Sequence, residues 1–139
     1  MYKKFKYFIP AIIWMIFIFI MSHTVGTVSS QQSNFIADII TQYLKIDYSL
    51  LTFIIRKTAH MSEYAVLLLL LYFGITKIYT HKYSLLISLF ITFIYACSDE
   101  IHQLFIPGRS GQFTDVMIDT SGALIMLLII YSYKLIKRR

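Results

Sequence analysis

The sequence predicts an all-α membrane protein with four transmembrane helices and a short interfacial helix in the first outer loop. Three observations lead to this fold class. Hydrophobic residues make up 58% of the chain and charged residues only 14%, whereas about 25% charged is usual for a soluble domain. Four apolar segments alternate with short polar ones, and most of the basic residues occupy different segments from the acidic ones. At 139 residues the chain suits a single domain, with spans predicted at about 5–22, 58–77, 83–102 and 115–134.

The first span follows a basic lead-in and is predicted to be retained in the protein. Tyr7–Met21 is rich in isoleucine and phenylalanine, as a signal peptide would be, but the small-residue pattern of a cleavage site is missing. The polar segment Ser22–Gln32 is then predicted to be a loop, after which Ser33 or Asn34 caps a short helix. The apolar stripe of that helix fits a position on the membrane interface or packing against the bundle. Its members are Phe35, Ile36, Ile39, Ile40, Tyr43 and Leu44.

The rest of the chain supplies three further helices whose polar ends are predicted to lie at one depth. Tyr48–Ile78 is typical of one long helix. A span needs roughly 20 residues. Counted from the predicted cytoplasmic ends of the three apolar segments, at Lys77, Tyr83 and Lys134, that length places the outer ends near Thr58, His102 and Asp115. The polar residues of these helices are therefore expected to converge in the outer leaflet or just above it.

The charged residues are segregated as the positive-inside rule describes. All seven acidic residues fall on the outer side of this topology, and only four of the thirteen basic ones, Lys45, Arg56, Lys57 and Arg109, join them. The other basic residues gather at the two termini and between the second and third spans. This distribution predicts cytoplasmic N- and C-termini and argues against a nucleic-acid partner. The single cysteine, Cys97, cannot form an intramolecular disulfide.

Helical spacing places the polar residues of three helices on single faces. A buried charge without a partner is costly, so the three stripes are expected to meet. Pro107 and Gly108 suit the central positions of a type II turn, which would join the third and fourth spans back to back and leave Arg109 at the mouth of the cluster. The stripes are, in chain order, Arg56, His60 and Glu63; Asp99, His102 and Gln103; and Asp115, Asp119 and Gly122.

Two motifs in this cluster resemble those of the VanZ-like family of bacterial membrane proteins. The pattern R-K-x-x-H-x-x-E-Y-x-x-L occupies Arg56–Leu67, and D-E-x-H-Q-x-F-x-P-G-R-x-G occupies Asp99–Gly111, followed by D-V at Asp115. The resemblance covers nearly the whole chain. It implies a multi-pass protein of the bacterial cell envelope linked to glycopeptide (teicoplanin) resistance, and it implies no particular reaction. The motif positions that it carries over are Arg56, Lys57, His60, Glu63, Tyr64, Asp99, Glu100, His102, Gln103, Pro107, Gly108, Arg109 and Asp115.

The polar cluster is compatible with two classes of function. As a binding site it would hold an anionic cell-wall lipid intermediate or a glycopeptide antibiotic, because guanidinium groups match phosphate or carboxylate bidentately. The same arginines could instead neutralise neighbouring acids. The residues assigned to ligand binding are Arg56, Lys57, His60, Glu63, Asp99, Glu100, His102, Gln103, Arg109 and Asp115. The alternative is a small membrane-embedded enzyme acting on a phosphorylated or acylated lipid, with acid–base candidates His60, Glu63, Asp99 and His102.

The binding interpretation is preferred because the sequence contains no evident nucleophile motif. No established zinc spacing is present either, so no metal and no cofactor are predicted. A transporter is disfavoured because the inner halves of the predicted spans lack the acidic, basic or amide residues that a pathway requires. The expected partners are membrane lipids, with an anionic cell-wall lipid intermediate or a glycopeptide antibiotic as the specific ligand.

Overall fold

Five α-helices make up the computed structural model, which describes residues 5–24 and 26–137. No strand occurs within these ranges, and the predicted all-α class is confirmed. A single 3₁₀ turn, Lys6–Phe8, leads into the first helix. The helices are α1 (Ile9–Ser22), α2 (Gly26–Thr41), α3 (Tyr48–Ile75), α4 (His81–Gln103) and α5 (Phe113–Lys137).

The long helix α3 lies at the centre of the bundle and contacts each of the other four helices. Asp47 caps its beginning, since Oδ1 accepts a hydrogen bond from Leu50 N at 2.8 Å, which satisfies one of the free N–H groups of the first turn. Further along, Tyr64, Leu67 and Leu68 have no exposed surface. Neighbours on several sides therefore fix the orientation of α3, and with it the directions of its polar side chains.

Three helices, α3, α4 and α5, are long and apolar enough to cross a membrane. Helices α4 and α5 enclose the predicted spans 83–102 and 115–134, while α3 begins at Tyr48, ten residues before the predicted span 58–77. The predicted first span, 5–22, corresponds to α1 with its leading turn, Lys6–Ser22, which is shorter than these three and below the roughly 20 residues of an ordinary span. The membrane class is supported by three helices, and the count of four spans stays a prediction.

Helix α1 runs antiparallel to the second half of α3. Near the start of α1, the Phe8 ring lies close to Gly74. In the middle, Trp14 Nε1 donates a hydrogen bond to Glu63 O at 2.8 Å, and Tyr95 OH donates one to Met15 O at 2.6 Å. These contacts bring the C-terminal end of α1 to the level of the polar residues on α3 and α4.

The first outer loop contains a helix, but the prediction of where it begins was wrong. Helix α2 starts at Gly26 rather than after Ser33 or Asn34. Its small side chains pack, as Ser33 and Ala37 are buried, and packing of this kind outweighs the weak helix propensity of the polar residues before them. Most of the predicted apolar stripe is exposed, with Phe35 67% exposed, although Ile40 is half-buried. The exposed part of the stripe fits the predicted position on the membrane interface better than packing against the bundle.

The turn between α4 and α5 has the predicted geometry. Arg109 N donates a hydrogen bond to Ile106 O at 3.1 Å, which closes a four-residue turn with Pro107 and Gly108 in the middle. Gly108 has φ of 75°, the left-handed conformation that the second central position of a type II turn requires and that glycine adopts most easily. The turn directs Arg109 back toward the bundle.

Candidate functional site

Two adjoining chambers lie where α1, α2, α3 and α4 meet the α4–α5 turn. The first, called here the apolar chamber, has a volume of about 150 Å³. Its hydrophobic wall residues are Ile18, Met21, Ile36, Ile55 and Ala59. Its polar and charged wall residues are Ser22, Gln32, Ser33, Arg56, His60, Glu63, Asp99 and Arg109. The second, the polar chamber, has a volume of about 220 Å³ and is lined by Ser30, Phe53, Arg56, Lys57, His60, Gln103, Gly108, Arg109, Ser110, Gln112 and Asp115. Arg56, His60 and Arg109 border both chambers. Eight of the ten predicted binding residues therefore line one or both of these adjoining chambers.

Arg56 is one of the two arginines that border both chambers. Its side chain comes from α3 and is exposed. Within residues 5–24 and 26–137 it makes neither a hydrogen bond nor an ion pair within 4 Å. A guanidinium group has five N–H donors in a planar fork, so all five remain available to a ligand in either chamber.

Lys57, the next residue along, is used differently. Its Nζ lies 2.5 Å from Asp115 Oδ1 at the start of α5, and both side chains are partly exposed. The pair joins α3 to α5 across the polar chamber. Because each charge cancels the other, Lys57 and Asp115 leave the polar chamber with the positive charges of Arg56 and Arg109.

Arg109 binds to the end of α1 rather than to an acid. Its Nε donates a hydrogen bond to Thr24 O at 3.0 Å, and its Nη2 donates one to Met21 O at 3.2 Å. Met21 lies in the last turn of α1 and Thr24 follows its end, where the helix dipole and the exposed carbonyls attract cations. Burial lowers the pKa of Arg109 from its ordinary value, while the charge of Asp99 acts in the opposite direction. Nη1 remains free of protein partners in the described part of the chain, and the side chain borders both chambers.

The buried carboxylate of Asp119 lies near the ring of His60. Its Nδ1 lies 3.7 Å from Oδ1 of Asp119, and Asp119 is only 1% exposed. A carboxylate near one ring nitrogen of histidine favours the tautomer with a proton there. The other ring nitrogen, Nε2, is then an acceptor. Asp119 was on a predicted stripe but was not among the candidate site residues. Its spacing of four from Asp115 was the signal that pointed to it.

The remaining acids of the apolar chamber belong to α3 and α4. Glu63 and Asp99 both line it, and the amide Nε2 of the buried Gln103 donates a hydrogen bond to Asp99 Oδ2 at 3.1 Å. The other oxygen, Asp99 Oδ1, is buried and has no hydrogen-bond partner among the described residues. The two acids of the apolar chamber are thus matched in number by Arg56 and Arg109, whereas the polar chamber has an excess of positive charge.

Two of the predicted binding residues, Glu100 and His102, lie outside both chambers. Glu100 Oε2 accepts a hydrogen bond from Gln112 N at 2.9 Å and lines a separate hollow beside Cys97. His102 Nε2 lies 3.1 Å from His23 Nδ1, and its ring stacks on Phe19 with centroids 4.6 Å apart. Both residues face away because α4 turns Asp99 and Gln103 inward. His102, a predicted acid–base candidate, therefore has no access to the chambers.

Comparison with known proteins gives one positive result. A family model described as VanZ/LLP1 matches residues 7–137, which is nearly the whole chain. Neither a curated protein nor a solved structure matches the chain. Within the described residues, no three His, Cys, Asp or Glu side chains are arranged to hold a metal ion.

Proposed function

The chain belongs to the VanZ/LLP1 family, and we propose that it is a bacterial cell-envelope membrane protein that binds the anionic head group of an envelope lipid in the polar chamber. The three helices suited to crossing a membrane support a position in the bilayer. A role in glycopeptide resistance would then follow from occupation or shielding of a lipid that the antibiotic needs to reach. The chambers, at about 150 and 220 Å³, suit a phosphate-sized head group and are far too small for a whole glycopeptide.

The observation that carries this proposal is the state of Arg56. It borders both chambers, yet in the described structure none of its guanidinium N–H donors has a protein acceptor. Lys57 at the next position is matched by Asp115. An arginine placed only to neutralise an acid would be matched in the same way. Ionisable groups this close to the membrane usually serve a function, and a planar fork suits a phosphate or a carboxylate.

The division into two chambers fits an amphipathic ligand. After the Lys57–Asp115 pair is discounted, Arg56 and Arg109 supply the net charge of the polar chamber. The adjoining apolar chamber offers Ile18, Met21 and other hydrophobic side chains to the beginning of a lipid tail. A lipid whose phosphate is bound by the two guanidinium groups and whose tail enters the apolar chamber would place its charge beside the arginines and its hydrocarbon beside the hydrophobic side chains.

The test is lipid binding by the purified protein, with a polyprenyl phosphate as probe and the matching polyprenol as the uncharged reference. Arg56→Ala is expected to weaken binding of the phosphate about tenfold or more, because a charge-assisted bidentate contact contributes on the order of 1.5–3 kcal/mol. Arg56→Lys should recover only part of this. Lys45→Ala removes an exposed positive charge from the α2–α3 connection and should leave binding unchanged.

Unchanged binding by Arg56→Ala would contradict the proposal. So would equal losses in Arg56→Ala and Lys45→Ala, because these would indicate attraction to surface charge in general. Equal affinity of the wild-type protein for the phosphate and for the polyprenol would exclude head-group recognition. Because the Arg56 side chain makes no hydrogen bond or ion pair in the described structure, its replacement should not affect folding, and thermal unfolding of each variant verifies this.

We further propose that α1 also crosses the membrane, which gives four spans with both termini in the cytoplasm. The support is its alignment with α3: Lys77 Nζ lies 5.6 Å from the Tyr7 ring at one end, and Arg109 binds the carbonyls at the other. In a variant without Cys97, cysteines at Gln31 and Ser110 should react with an impermeant maleimide from outside intact cells, and one at Lys137 should not. Labelling at Lys137 would refute the topology.

A second candidate function, hydrolysis of a phosphorylated or acylated lipid, is favoured by one contact. Asp119 Oδ1 lies 3.7 Å from His60 Nδ1, and the other ring nitrogen of His60 would accept a proton from a water molecule in the chambers. The water oxygen would attack the terminal phosphorus of a polyprenyl diphosphate with polyprenyl phosphate as the leaving group, or the acyl carbon of an acylated lipid with the lipid alcohol as the leaving group, and the proton held by His60 would pass to the leaving oxygen. If this occurs, wild-type protein releases inorganic phosphate from a polyprenyl diphosphate, and His60→Gln does so at least about 100-fold more slowly while still binding it. No release by the wild-type protein above buffer would eliminate this candidate.

A further inference from the structure

A larger groove lies between α3 and α5 at the opposite end of the bundle from the two chambers. Its volume is about 630 Å³, which lies within the range of small-molecule sites. Its walls are mainly apolar and aromatic, with Leu69, Phe73 and Met126 among them. Two lysines, Lys77 just after α3 and Lys134 in the last turn of α5, lie at one end of the groove. The groove thus combines an apolar body with a cationic end.

The charges of these two lysines have no acidic counterpart in this half of the molecule. The sequence contains no aspartate or glutamate between Glu63 and Asp99, and none after Asp119. The ring of Tyr7 lies 5.6 Å from Lys77 Nζ, but a cation–π contact does not neutralise the charge. Both lysine side chains are exposed, so their ammonium groups can move toward an anion that enters the groove.

We propose that this groove binds an acyl chain of an anionic glycerophospholipid, whose phosphate is held by Lys77 and Lys134. An acyl chain lies along the apolar walls, and the phosphate reaches the lysines at the end. Basic pockets between transmembrane helices attract anionic head groups in this way, and lysine side chains extend readily along apolar surfaces. This site is separate from the chambers and does not depend on their ligand.

A second copy of the chain is a poorer occupant of the same groove. Two copies in one membrane have the same orientation, so a symmetric contact across this face would repeat the same residues on both sides of a twofold axis. Lys77 and Lys134 of both copies would then meet at one depth, in surroundings of low dielectric constant, where like charges repel strongly. The negative charge of an anionic lipid reduces the repulsion between the two lysines, whereas a second copy would add two more positive charges to it.

Native mass spectrometry of the full chain in detergent tests the proposal, with phosphatidylglycerol as the anionic probe and phosphatidylcholine of the same acyl chains as the zwitterionic one. The wild-type protein should bind phosphatidylglycerol more tightly. The double variant Lys77→Gln/Lys134→Gln should lose about tenfold of that affinity and bind the two lipids alike. Lys82→Gln, on α4 at the same end but outside the groove, is the control and should behave as wild type. Unchanged binding by the double variant, or an equal loss in Lys82→Gln, would overturn the proposal.

A second variant separates the groove from its charged end. Ile129 lines the groove and is 55% exposed, so Ile129→Trp should fill the space without disturbing the core. With both lysines intact, this variant is still expected to bind phosphatidylglycerol several-fold more weakly. Full binding by Ile129→Trp would show that the groove holds no chain, and a shift from dimer to monomer without loss of lipid would identify a second copy as the occupant. Either result overturns the proposal. Thermal unfolding should be unchanged in every variant.

Discussion

Replacement of Gly122 by alanine is expected to destabilise the protein by about 3 kcal/mol or more, a large part of the free energy of unfolding of an ordinary domain. Gly122 lies where α5 crosses α3, and a Cβ atom added there would be 2.1 Å from Met61 O. The obstacle is a backbone carbonyl rather than the end of a flexible side chain, so the two helices would have to separate. Small residues that let backbones approach closely are typical of contacts between membrane helices.

The same substitution should also disturb the candidate site. His60 is adjacent to Met61, and Asp119 is one turn from Gly122, so separation of α3 and α5 would lengthen the 3.7 Å contact between His60 and Asp119. The measurement is the midpoint of thermal unfolding in detergent, together with the binding assay for polyprenyl phosphate.

The matched control is Gly74→Ala, another glycine-to-alanine change in a helix. A Cβ atom at Gly74 would lie 3.1 Å from the Phe8 ring and from Tyr7 O. The flexible Phe8 side chain and the one-turn segment that carries Tyr7 can move by the few tenths of an ångström required, so the expected loss is less than half as large. Equal losses in the two variants would contradict a specific close contact at Gly122.

Arg109→Lys is expected to be almost as damaging as Arg109→Ala. Lysine keeps the charge but has a single nitrogen, which cannot reproduce the Nε and Nη2 donors that contact Thr24 O and Met21 O. Hydrogen bonds from charged groups contribute on the order of 2 kcal/mol, so both variants should unfold at a lower temperature. Both should also bind polyprenyl phosphate about tenfold or more weakly, since the turn and the end of α1 form walls of the chambers.

Lys57→Ala is the control for the loss of a basic residue at the same site. The Lys57–Asp115 pair is partly exposed, and such pairs contribute about 1 kcal/mol or less, so folding should be spared. If Arg109→Lys retains the unfolding midpoint and full binding, a positive charge alone is sufficient at this position. Arg56 would then be the remaining candidate for recognition of the anion.

The positions of polar residues along each helix could be predicted from the sequence. The spacing of Arg56, His60 and Glu63 places them on one face, because an α-helix has 3.6 residues per turn, and all three line the apolar chamber. The turn at Pro107 and Gly108 could also be predicted, because its conformation depends on local chemistry. The start of α2 could not be predicted from local chemistry, because its serines and glutamines are typical of a loop. The helix forms there because Ser33 and Ala37 are buried by packing on other helices.

The sequence by itself determined the all-α class, three of the four predicted spans, the separation of most bases from the acids, and the side of each helix that carries its polar residues. Only the tertiary structure decided what each polar residue meets: His102 meets His23, Arg109 meets the end of α1, and Asp119 meets His60. The physical reason is that helical periodicity fixes angles within one helix and leaves the rotation of neighbouring helices free. That rotation is set by contacts distant in sequence, such as the approach of Gly122 to Met61, which depend on the shapes of both surfaces at once.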